Sequence, residues 1–121
     1  MDENPILEHV NAPYHRGDFT EATHTQHLRN PTCGDEVTVQ ILIADDKVQS
    51  AWFTAAGCMV SQAAASMLCE HIEGKSVDDV SRLDHADILS LIGVPLTPHR
   101  QQCALLSFTA LKAAIAQHQQ G

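Results

Sequence analysis

Positive charge is scarce in this chain: 7 Lys and Arg stand against 15 Asp and Glu, a formal net charge of −8 at pH 7. An acidic surface repels phosphate backbones, which argues against nucleic acid as a partner. The same field would steer in a basic protein partner. Long apolar runs are missing too, with none near the roughly 18 residues a membrane span requires. The opening Met1-Asp2-Glu3-Asn4-Pro5 has neither a basic start nor an apolar stretch behind it, so no targeting segment is expected. There is no internal repeat, low-complexity tract or interdomain linker. These absences lead to a cytoplasmic protein in a reducing compartment, where four cysteines are metal ligands or reactive thiols rather than disulfides.

What is present is an ordinary globular composition, 44% hydrophobic and 18% charged over 121 residues. That length suits a single domain spanning residues 1–121, able to bury a core without disulfide staples. Pro5 to Asn11 reads as a short helix, with Asn4 as its cap and Pro5 at the first helical position. Ala22 to Leu28 is threonine-rich without helical periodicity and reads as a strand at a sheet edge. Val37, Val39, Ile41 and Ile43 alternate with Thr38, Gln40 and Leu42, the mark of a half-buried strand. Ala44-Asp45-Asp46-Lys47 makes a turn, and Val48 to Ala55 returns.

Everything after Gly57 reads as helix. Met59 to Glu73 carries Val60, Ala64, Met67, Leu68 and Ile72 at helical spacing, and Gly74 stops it. Ser76 and Asp84 cap two shorter helices, the second running through Leu91 to Gly93 and Pro95. Thr97 caps the last helix and Pro98 opens it, with a stripe of Ala104, Phe108, Leu111 and Ile115. The expected fold is α+β: a three-stranded antiparallel sheet with helices packed on one face.

Three of the cysteines fall at element boundaries. Cys33 lies in the loop Asn30 to Asp35, Cys58 where a strand gives way to a helix, and Cys103 in the first turns of the last helix. A thiol near a helix N-terminus feels the positive end of the dipole, which favours thiolate, both soft metal ligand and nucleophile. Gly34 and Gly57 let the backbone turn sharply or approach closely beside two of them. The intervals of 25 and 45 residues match no CxxC-type zinc pattern, so spacing alone leaves three buried cysteines packed as small hydrophobes as the alternative. Asp35 is a candidate fourth ligand, since three thiolates and a carboxylate make an acceptable zinc site. It is also readable as a loop carboxylate that satisfies backbone N–H groups. Cys69 lies some 16 Å along the helix from Cys58 and reads as a buried structural thiol. His99 and Arg100 stand near Cys103, His99 as a possible ligand and Arg100 on the same helical face as the thiol. The other histidines, His15 among them, are scattered and call for no functional role.

The segments Pro13-Tyr14-His15-Arg16-Gly17, Asn30-Pro31-Thr32-Cys33-Gly34-Asp35 and Gly57 to Ser66 resemble the NifU-like scaffold family, which includes the IscU and SufU proteins. Glu73-Gly74-Lys75-Ser76 and Arg100 to Leu106 follow in the family's order, so the resemblance covers nearly the whole chain. It implies that Cys33, Asp35, Cys58 and Cys103 bind either a nascent [2Fe–2S] cluster and its iron, or Zn2+. It also implies a three-stranded sheet with helices packed on it. Sulfur would arrive as persulfide from a cysteine desulfurase of the SufS, IscS or NifS kind, and downstream apo iron–sulfur proteins or carriers would receive the product.

Two branches diverge near the third cysteine. IscU-type scaffolds place a histidine immediately before it, within a chaperone-recruiting segment; here Gln102 takes that place and Val94 to Pro98 does not reproduce the segment. SufU-type proteins place an arginine three residues before it, as Arg100 stands here, but carry an extra segment that this chain lacks. Three functions follow from the resemblance. One is a cluster scaffold on which Asp35 keeps the site labile. Another is a zinc-dependent sulfurtransferase, with Cys33 or Cys103 as the persulfide acceptor and Arg100 assisting. The third is a zinc-stabilised interaction domain without sulfur chemistry.

Overall fold

The computed structural model describes residues 4–31 and 34–120. Along the chain these form α1 (Pro5–Asn11), β1 (His24–Arg29), β2 (Glu36–Ala44), β3 (Lys47–Ala56), α2 (Met59–Ile72), α3 (Val77–Ser81), α4 (His85–Ile92) and α5 (Pro98–Gln120). None of the described helices is long and apolar enough to cross a membrane.

The strands form one antiparallel sheet in the order β1-β2-β3. Asp45 and Asp46 both take positive φ, 55° and 56°, giving the two-residue hairpin a twist that suits its flanking strands. On β2 the alternation of the sequence becomes a buried face of Val37, Val39, Ile41 and Ile43. Opposite them on β3 lie Phe53 against Val39 and Ala51 against Ile41, and a bulge at Leu42/Ile43 brings Val48 onto the same face. Helix α2 packs on β3 from that side, while α5 covers β1 and β2. Ten of the 14 residues of α2 are buried, among them Ala63, Ala64 and Ala65, because it also touches α1, α4 and α5. Small side chains permit that close approach. The α5 stripe Ala104, Phe108, Leu111 and Ile115 is buried as the spacing requires.

The element ends are fixed by the caps anticipated from sequence. Asn4 accepts the Ile6 N–H at 2.9 Å, Ser76 accepts that of Asp79, and Asp84 forms a reciprocal capping box with Asp87. Thr97 Oγ1 accepts the Arg100 N–H at 3.3 Å. Several boundaries differ by one residue, and β1 by two at its start, which is His24 rather than Ala22. The chain turns at Phe19–Ala22, and Thr23 joins β2 through its N–H and hydroxyl on Ile41 O before regular pairing starts.

The outer edge of β3 is covered by residues 15–17, where Phe53 N–H donates to His15 O and Gly17 N–H to Phe53 O. The anchor of this segment is Glu73, just beyond α2. Its carboxylate accepts from the Tyr14 hydroxyl, from Ala51 N–H at 2.8 Å and from Ser50 Oγ at 3.3 Å, and pairs with His15 Nδ1 at 2.6 Å. The His15 ring is stacked between Tyr14 and Trp52. Bonding to this carboxylate pushes the Tyr14 phenol up to about 12. His15 is therefore a structural clamp rather than one more scattered histidine.

Candidate metal centre

Three segments bring candidate ligand atoms to one end of the sheet. Asp35 precedes β2, Cys58 is the N-cap residue of α2, and Cys103 lies in the second turn of α5. One oxygen or sulfur atom of each lies within 4.8 Å of the other two. Asp35 and Cys103 are buried, at 3% and 2% exposure, whereas Cys58 is exposed. Cys33, expected as a fourth ligand, lies outside the described residues.

The carboxylate of Asp35 is the hub. Its Oδ1 accepts the backbone N–H of Cys58 at 3.0 Å. Its Oδ2 accepts the Ser61 hydroxyl at 2.6 Å and the Cys58 thiol at 3.3 Å. Burial alone would raise its pKa. Hydrogen bonds from Ser61, from Cys58 N–H and from the Cys103 and Cys58 thiols reverse that and hold it well below the usual carboxylate range. Asp35 thus satisfies a backbone N–H, as a loop carboxylate does, and it also faces two thiols, the arrangement that a ligand role would need.

Glycine is required beside it. Gly57 has φ +121°, and a Cβ there would lie 2.1 Å from Asp35 Oδ1. The strand-to-helix turn therefore lies directly against the carboxylate, which is how Cys58 reaches it.

Arg100 and His99, both exposed, line a cleft of about 430 Å³ together with Asn4, Ile6, Met59 and the two cysteines. His99 is not part of the mutually close ligand group, among the described residues. Cys69 is buried, far along α2, and burial and Glu73 push its thiol pKa strongly up, as befits an inert core cysteine. Ser61 is the site residue that sequence reasoning passed over. It stands three residues after Cys58, hence one turn along the same face of α2, and that spacing is the signal that could have found it.

Thiolates and a carboxylate at these separations suit zinc or iron, both of which accept sulfur with one oxygen ligand. Comparison with known proteins is decisive at this point: the NifU-like N terminal domain family matches residues 1–121. The chain belongs to that family. Among NifU-like relatives, the iron–sulfur cluster assembly scaffold protein IscU of Thermotoga maritima is 32% identical, covering 95% of this chain and 92% of that one. The zinc-dependent sulfurtransferase SufU of Bacillus subtilis is 30% identical, covering 96% and 90%. A crystal structure of a putative iron–sulfur cluster assembly scaffold protein for the SUF system from Fervidobacterium islandicum superposes with a TM-score of 0.76 at 25% identity, covering 94% and 96%. This NifU-like domain is thus similar to scaffolds and to a sulfurtransferase alike, and the expected α+β fold is the observed one.

Proposed function

We propose that this NifU-like protein is an iron–sulfur cluster assembly scaffold that accepts sulfur from a cysteine desulfurase and builds a transient [2Fe–2S] cluster on Cys33, Asp35, Cys58 and Cys103. The observation that supports this reading is the convergence of Asp35, Cys58 and Cys103 within 4.8 Å from three separate segments. The cluster is cargo, to be passed to apo iron–sulfur proteins or carriers. Cys58, the N-cap residue of α2, offers a partly buried sulfur as a soft ligand. Asp35 supplies an oxygen, the poorest match to soft cluster iron and so the easiest ligand to displace.

Sulfur acceptance is a thiolate attack on the outer sulfur of the desulfurase persulfide. A new S–S bond forms on the scaffold, the old one breaks, and the desulfurase cysteine leaves as thiolate. Cys33 and Cys103 are the candidate acceptors. Cys103 is 2% exposed, so acceptance there requires the first turns of α5 to shift. Arg100, which lines the same cleft, would stabilise the attacking thiolate.

A second reading is a zinc-dependent sulfurtransferase, favoured by the similarity to SufU of Bacillus subtilis and by Arg100 at the cleft. Zinc would then be held by the same four residues and keep their thiols deprotonated.

The two separate in one assay, anaerobic assembly with desulfurase, cysteine and ferrous iron. A scaffold develops charge-transfer absorption bands, which persist longer in the Asp35→Ala variant. A sulfurtransferase develops none, and its stimulation of the desulfurase disappears when zinc is removed.

A further inference from the structure

Ser61 is 2% exposed, and its hydroxyl carries a single proton with two acceptors in range. One is Asp35 Oδ2 at 2.6 Å and the other is the carbonyl of Cys103 at 3.2 Å. The first belongs to a ligand side chain and the second to the backbone of the helix bearing another ligand. Cys58 Sγ lies 3.6 Å from the same hydroxyl. Ser61 thus touches all three segments of the site without being a ligand itself. The carbonyl, with two lone pairs, can take the Ser61 proton while still serving its own helix.

Resting on the metal-site reading above, we propose that Ser61 is a positioning residue that sets how readily Asp35 leaves and rejoins the metal. With Asp35 off the metal, Oδ2 is held by the Ser61 hydroxyl, the arrangement seen here. With Asp35 on the metal, Ser61 turns its proton to the Cys103 carbonyl. The first bond is short and charge-assisted, the second longer and neutral, so the hydroxyl favours the released carboxylate. A ligand that always has a second partner waiting can be displaced without being left bare in a buried site.

The test uses the full chain loaded with zinc alone and follows transfer of zinc to a chromophoric chelator. Ser61→Ala should release zinc about tenfold more slowly, the difference between a charge-assisted and a neutral hydrogen bond. Ser61→Gly, a second variant without the hydroxyl, should slow it likewise, and Ser61→Thr, which keeps the hydroxyl, should match the parent. In an Asp35→Ala background Ser61→Ala should have no effect, because the carboxylate it acts through is gone. Release from Ser61→Ala and Ser61→Gly as fast as from the parent, or slowing that persists without Asp35, would overturn the proposal. A parent protein whose zinc binding is unaffected by Cys58→Ser and Cys103→Ser would instead sink the metal-site reading, and this inference with it.

Discussion

Two carboxylates mark the two ends of α2, a helix about 20 Å long. Asp35 faces its N-terminus and Glu73 follows its C-terminus. Burial would raise the pKa of each, and in each case hydrogen bonds outweigh it and hold the acid below its ordinary value. Their partners differ in kind. Glu73 is held by a backbone N–H, a tyrosine hydroxyl and a histidine stacked between two aromatic rings, none of which has other chemistry to perform. Asp35 is held by one backbone N–H, two thiols of the candidate metal site and a serine hydroxyl that has a second acceptor in range. A carboxylate locked by fixed donors is architecture. One held by exchangeable donors is what the proposed ligand role of Asp35 needs.

Substitutions should separate the two ends. The largest expected loss is from Gly57→Ala, which combines positive-φ strain with overlap on Asp35 and should cost about 4 kcal/mol. Urea unfolding should register that loss, and the surviving folded protein should bind metal poorly. Glu73→Ala comes next. Removing the shared acceptor of Ala51 N–H, Tyr14 and His15 should cost about 3 kcal/mol, while metal stoichiometry at the far end stays that of the parent. A Glu73→Ala variant that loses metal as well would break the division between the ends.

The pH dependence sharpens the same contrast. Glu73 has a lowered folded-state pKa, so its contribution is present above its ordinary value of 4.5 and is lost as the pH falls through the lower folded value. Below about pH 4.5 the parent should therefore lose stability more steeply than Glu73→Gln, checked by urea midpoints across that range. Smallest in stability is Arg100→Ala, an exposed change expected to stay within about 0.5 kcal/mol while slowing sulfur uptake from the desulfurase.

Most of the fold was legible because its signals are local. The β2 alternation, the Asn4, Ser76, Asp84 and Thr97 caps and the glycine stops each act within a few residues of themselves. The start of β1 shifted because Thr23 bonds β2 from a turn, which periodicity does not see. Asp35, Cys58 and Cys103 were legible from boundary position and family resemblance, not from spacing, and Cys33 stands as an expectation. The Glu73 clamp was not legible at all. It joins residues 58 and 59 positions apart, and its partners are ordinary loop types until the chain folds. Ser61 falls between these cases, since its helical offset from Cys58 was readable but the depth of the site was not.

Cluster building is proposed here on Cys33, Asp35, Cys58 and Cys103. Its most direct test is the iron, acid-labile sulfide and zinc content of protein purified without oxygen and without added metal, read with its visible absorption spectrum. A cluster-building site should give iron with sulfide and charge-transfer bands, lost in Cys58→Ser and Cys103→Ser. Stoichiometric zinc without iron or sulfide would contradict the scaffold and leave the sulfurtransferase in its place.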